Sequence, residues 1–124
     1  MSELLTTARP YAKALFKSAK EQNLIDEYFE MLNNLLTVVS DKDVSKILSN
    51  DSHDGKYKSS LLTDILKKNT NEHFNRFINL LIDNNRIDVV HEIKGLYDIF
   101  LQEEKNQKTA FIDTAFELNN DQVA

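Results

Sequence analysis

Apolar residues recur along this chain at intervals of three and four and are interrupted by short polar breaks, the pattern of successive amphipathic helices. A first helix is expected from about Thr7 to Gln22, with Ala8, Ala12, Leu15, Phe16 and Ala19 on one stripe. Asn23 breaks it. A second runs from about Ile25 to Val39 and turns Ile25, Tyr28, Phe29, Leu32, Leu36 and Val39 to one side. Ser40 and Asp41 end it and can cap a short third helix that presents Val44, Ile47 and Leu48. The cluster SNDSHDGK, residues 49–56, reads as a turn. After it, Tyr57, Leu61, Leu62, Ile65 and Leu66 mark the inward face of a fourth helix. Asn71 can cap a fifth from about Glu72 to Asn84, DNNR signals a turn, and a sixth follows from about Asp88 to Glu104. Gly95 inside the sixth costs about 1 kcal/mol relative to alanine and is read as marking a close helix contact.

Beyond EEKNQK the texture changes. TAFIDTAF, residues 109–116, is rich in Thr, Phe and Ile and alternates imperfectly, which suggests a strand. A lone strand has no sheet to join, so the segment is expected as an isolated strand or as disordered chain. LNNDQVA then opens another helix. The expected architecture is all-α: a six-helix bundle over residues 1–105, with residues 106–124 as a linker and the start of a second domain.

The single proline sits in ARPYAKALF, residues 8–16, among helix formers. If the helix starts at Thr6 or Thr7, Pro10 falls within the first turn, whose N–H groups have no intrahelical partner, and its missing donor costs little. A start at Pro10 itself is the alternative, because Arg9 before it is biased away from the α region.

Composition narrows the chemistry. The chain has 124 residues, 41% hydrophobic and 28% charged, enough for one domain with a real core. There is no cysteine, which removes disulfides, thiolate metal sites and cysteine nucleophiles. A net charge of −5 argues against binding nucleic acid, which needs a positive footprint. No apolar run is long enough to span a bilayer, and MSELLTTARP has no signal-peptide pattern, so no direct membrane insertion is expected.

Catalytic candidates fail on spacing. Gly55 and Gly95 are too far apart for a phosphate-cradling loop or a dinucleotide fingerprint. His53, His73 and His91 fall in separate segments, and HEIKG lacks the second histidine of a zinc-protease motif, so they read as solvated or capping side chains. Carboxylate pairs such as Asp41 with Asp43 and Glu103 with Glu104 sit at helix ends or on charged faces, and no serine lies in a nucleophile elbow. No catalytic residue, cofactor or metal is assigned.

Two helices are apolar beyond what a simple stripe requires. On the first, Arg9, Lys13, Lys17 and Lys20 form a basic arc that reads as solvated, while Thr7, Tyr11, Ala14 and Ser18 form a low ridge on the opposite flank. Small residues there let another helix axis approach, either from the same bundle or from a partner. On the fifth, Phe74, Phe77, Ile78, Leu80, Leu81 and Ile82 cover about 200 degrees of arc. Either that helix is central, or its flank of Phe77, Leu80 and Asn84 faces a partner helix.

The opening ARPYAKALF with KSAKEQNLIDEY resembles the N-terminus of the delta subunit of bacterial F-type ATP synthase, a family related to the mitochondrial oligomycin-sensitivity-conferring protein. LLIDNNRIDVVHEIKGLYDIF resembles its later helices, and TAFIDTAFELNNDQ the start of its second domain. The resemblance implies a non-catalytic stator subunit of the peripheral stalk, on the cytoplasmic side of the bacterial inner membrane, serving ATP synthesis and hydrogen ion transport. It further implies a six-helix bundle on top of the catalytic head that holds the N-terminal helix of an alpha subunit between its first and fifth helices. Thr7, Tyr11, Ala14, Ser18, Phe77, Leu80 and Asn84 lie on those helices and are the candidate groove residues. The b subunits are gripped by the second domain, of which only the start is expected here, so b binding is not assigned to these residues. The alternative is an unrelated helical adaptor that takes another amphipathic helix in a surface groove.

Overall fold

The computed structural model describes the backbone of residues 3–123 and the side chains of residues 3–110. Among the described residues there are six α-helices and no strand: α1 (Glu3–Gln22), α2 (Ile25–Ser40), α3 (Lys42–Ser49), α4 (Gly55–Leu66), α5 (Glu72–Asp83) and α6 (Val90–Val123). Short 3₁₀ turns at Lys67–Asn69 and Ile87–Val89 join α4 to α5 and α5 to α6. The expected all-α, six-helix architecture is the one observed. No helix among the described residues is long and apolar enough to cross a membrane.

Local chemistry sets the helix ends. Asn23 adopts φ 60°, and Leu24 N–H donates to the Ala19 carbonyl at 2.8 Å, while Asn23 N–H reaches that of Lys20 at 3.2 Å. These paired bonds are a Schellman cap, which needs a residue tolerant of the left-handed region. Asn85 repeats the device after α5 with φ 57°, and Arg86 N–H donates to the Leu81 carbonyl at 2.7 Å. Among the described residues, α3, α4 and α5 begin on side-chain caps. The Asp41 carboxylate accepts from Asp43 and Val44, Asp54 from Tyr57 at 2.8 Å, and Asn71 from Phe74 at 2.8 Å.

α6 is the spine. α1 and α2 pack along it, α4 pairs with α5, and α2 and the second 3₁₀ turn bridge the two groups. Ala8, Ala12 and Ala19 are fully buried on α1, so their small side chains let α1 lie close to α6. Phe16 meets Tyr97 and Phe100 edge-on at 5.3 and 5.8 Å, and Tyr28 meets Phe74 at 5.9 Å. Tyr97 is fully buried and its hydroxyl donates to the Ile25 carbonyl at 2.6 Å, fixing α6 to the start of α2.

Four expectations need correction. α1 begins at Glu3, not Thr7, so Pro10 lies about two turns inside the helix. Leu5 packs against the core and continues the stripe of Ala8 and Ala12 upstream, and that burial outweighs the single hydrogen bond the proline omits. Pro10 and Thr6, whose carbonyl loses its donor, are both exposed, which leaves that carbonyl open to water. Secondly, α6 continues through Val123, so residues 109–116 are helical and not a strand. Without a neighbouring strand, a helix is the conformation that pairs the backbone groups within the segment itself. Thirdly, α4 turns Leu62 and Leu66 inward but leaves Tyr57 and Ile65 about half exposed, since its main helix neighbours, α2 and α5, cover part of its surface. Finally, Gly95 makes no close helix contact: a Cβ there would meet nothing within 4 Å.

Candidate functional site

The flank that the sequence points to is assembled from α1 and α5. On α1, Thr7, Tyr11 and Ser18 are partly buried and Ala14 is exposed. On α5, Phe77 is 8% exposed and belongs to the core, Leu80 is 45% exposed, and Asn84 is exposed just past the helix end. A hydrogen bond joins the two sets directly: Asn84 Nδ2 donates to the Tyr11 hydroxyl at 3.0 Å. α1 packs chiefly on α6 and α2, and α5 on α4, while both touch the 3₁₀ turn Ile87–Val89, so the bond adds a direct link between two helices that mainly pack on other elements.

The members have different roles. Phe77 faces inward against Phe74 at 5.8 Å, so it shapes the floor without offering much surface. Ser18 is drawn into the α1–α2 corner, where its hydroxyl accepts from Gln22 Nε2 at 2.8 Å and Gln22 Oε1 accepts from the Tyr28 hydroxyl at 3.0 Å. Ala14 and Leu80 are the two apolar members open to solvent. Leu4, missing from the sequence-based set, belongs with them. It is 45% exposed and stands three and seven residues before Thr7 and Tyr11, on the same side of α1. Its signal was the same helical spacing, hidden by a helix start placed at Thr7.

The flank carries no chemistry of its own beyond shape and apolar surface. Tyr11, Ala14, Leu80 and Asn84 include no acid, base or nucleophile poised on a partner group. The three histidines stay apart: His53 stacks on Tyr57 at 4.6 Å, His91 meets Glu92 at 3.0 Å, and His73 is exposed on α5. Among the described residues no three His, Asp or Glu side chains converge as a metal site. Among the described residues the one strongly perturbed group is Tyr97, whose pKa is pushed well above the ordinary tyrosine range by burial first and the Asp26 carboxylate second. It serves the α6–α2 joint.

Clefts among the described residues also lie away from this flank. One of about 500 Å³ sits between α2, α3 and the α5–α6 turn, with Leu36, Leu48, Ile87 and Val90 among its walls. Another of about 300 Å³ lies between α1 and α6.

A family described as ATP synthase delta (OSCP) subunit matches residues 7–124 of the chain. The chain belongs to this family. Among its delta/OSCP relatives, ATP synthase subunit delta of Chromobacterium violaceum is 32% identical over 124 residues, covering all of this chain and 70% of that protein. The protein of the same name from Marinomonas sp. is 37% identical over 124 residues, covering 99% of the chain and 69% of the relative. That from Marinobacter nauticus is 33% identical over 122 residues, covering 98% and 68%. The delta/OSCP match takes in α2–α6 and all of α1 from Thr7 on, so both helices of the flank fall inside it.

Proposed function

We propose that this chain is a non-catalytic stator subunit of an F-type ATP synthase, and that its bundle holds the N-terminal helix of an alpha subunit along the α1–α5 flank. The family match supports the assembly, and the observation that carries the site is the Tyr11–Asn84 bond between α1 and α5, with Ala14 and Leu80 exposed on the same two helices. Such a flank offers small and apolar residues in rows that an amphipathic helix can fill. Leu4 extends the row at the N-terminal end of α1.

A stator joint needs affinity and stiffness, not bond chemistry. Each apolar anchor fully buried at the joint contributes roughly 1.5–3 kcal/mol before ordering costs, and a preformed flank keeps those costs low. The subunit sits peripherally on the cytoplasmic side of the membrane and resists the torque of the rotor. Residues 1–105 form the head-binding domain. Residues 106–124 form the linker and opening of the domain that grips the b subunits, so b binding is not a property of the flank.

Calorimetric titration of the bundle with a synthetic alpha-subunit N-terminal peptide tests the reading. Saturable binding that Ala14→Asp weakens, with helicity unchanged, is the expected result. Absence of binding removes the mechanism.

A further inference from the structure

α1 and α6 lie side by side and run in the same direction. Phe16 touches Tyr97 and Phe100, and one turn further on Lys20 Nζ meets Glu104 Oε2 at 3.2 Å. The cleft between them, about 300 Å³, has a floor of Phe16 and Phe100, a wall of Lys13, Lys17 and Lys20, and an opposite wall carrying Glu103 and Glu104. Both helices line it with residues spaced i, i+3, i+4 and i+7, so it extends over about two turns, roughly 10 Å. That is the footprint of two turns of an incoming helix, with room for anchors one turn apart.

The charges on its rim are uneven. Lys20 is paired with Glu104, but Lys13 and Lys17 have no ion-pair partner among the described residues, and neither does Glu103 across the cleft. The sequence alone gave the lysines no role beyond solvation. In the folded chain their aliphatic stems wall an aromatic floor, and their ammonium groups stand at its mouth. Two unpaired cations beside partly buried aromatics, in a chain of net charge −5, select an occupant that is apolar underneath and negative toward α1.

We propose that the α1–α6 cleft docks an acidic amphipathic helix from another subunit of the ATP synthase. Its apolar side lies on Phe16 and Phe100, its carboxylates face Lys13 and Lys17, and a neutral or basic residue faces Glu103. This second face of α1 rests on the chain's place in the synthase but not on the α1–α5 assignment.

The test uses the full-length subunit in the purified, assembled complex, with photoreactive benzoylphenylalanine in place of Lys17 and, separately, of Lys13. Both positions are expected to crosslink to one helical segment that carries Asp or Glu beside Leu or Phe. Crosslinking to a basic or irregular segment, or none from either position, overturns the proposal. The same probe at Ala14 reports on the α1–α5 flank, so each face can fail without the other, and incorporation into the complex tests membership separately. K13E/K17E provides the second measurement, since both lysines are exposed and their replacement leaves the core intact. Re-association with subunit-depleted complex is expected to weaken about tenfold at about 50 mM salt, shrinking to about twofold at about 0.5 M. Unchanged re-association at low salt overturns it.

Discussion

Leu80 is the residue at which the α1–α5 reading is most exposed to refutation. It stands on α5 with 45% of its surface open, whereas Phe77, one turn earlier on the same helix, is 8% exposed. Truncating Phe77 to alanine would cost the bundle about 3–5 kcal/mol, and any loss of binding would then report on folding. Leu80→Ala avoids this, because leucine and alanine have similar helix propensity and the side chain is half in water already. Complete burial of a leucine is worth about 1.5–3 kcal/mol, so a partner that covers the open half gains about 1 kcal/mol. Leu80→Ala should therefore raise the Kd for an alpha-subunit N-terminal peptide about fivefold. Leu80→Asp adds the desolvation of a carboxylate against an apolar stripe, for a total of about 3 kcal/mol or a hundredfold. Calorimetric titration reads the affinity, and thermal melts followed by circular dichroism check that the bundle is unharmed. A Leu80→Asp protein that melts normally and binds within twofold of the parent would show that the partner helix does not lie on this flank.

The remaining predictions concern the frame that holds the flank. Tyr97→Phe removes the 2.6 Å bond to the Ile25 carbonyl and should destabilise the bundle by about 1–3 kcal/mol in urea denaturation. Because the folded chain raises the Tyr97 pKa above its ordinary 10.0, raising the pH past about 10 favours the unfolded state; the wild-type urea midpoint should fall from pH 9 to pH 11 more than that of Tyr97→Phe. Asn71→Ala removes the cap on Phe74 N–H at the start of α5 and should cost about 1 kcal/mol, read as a lower melting temperature. Gly95→Ala should stabilise by about 0.5–1 kcal/mol in the same melt, since a Cβ there meets nothing within 4 Å.

Helix existence was legible because each amphipathic period was bounded by chemistry with a local meaning. Asn71 and Asp41 cap the helices they precede, and Asn23 breaks the chain where a left-handed residue is needed. What a helical wheel gives is the arrangement of residues about one axis. It does not say how many neighbours that axis has. α4 shows the consequence: Tyr57 and Ile65 share its apolar side with Leu62 and Leu66, but α2 and α5 cover only part of the arc. Pro10 shows a second limit, because the local cost of a proline was visible while the burial of Leu5 that overrides it depends on α1 meeting the core.

α1 brings these limits together and explains why its two flanks differ in legibility. Its buried alanines set a close approach to α6, which fixes the helix in one rotation and leaves arcs free on both sides of the contact. The arc toward α5 was readable because small and apolar residues are conspicuous where a surface helix should be polar. The arc toward α6 was not, since lysines are ordinary on a surface and only the partner helix supplies Phe100 beneath them. A charged face next to a close-packed helix pair acquires meaning from the neighbour. The aromatic floor makes the lysines of α1 a rim, and without it they would be a solvated edge.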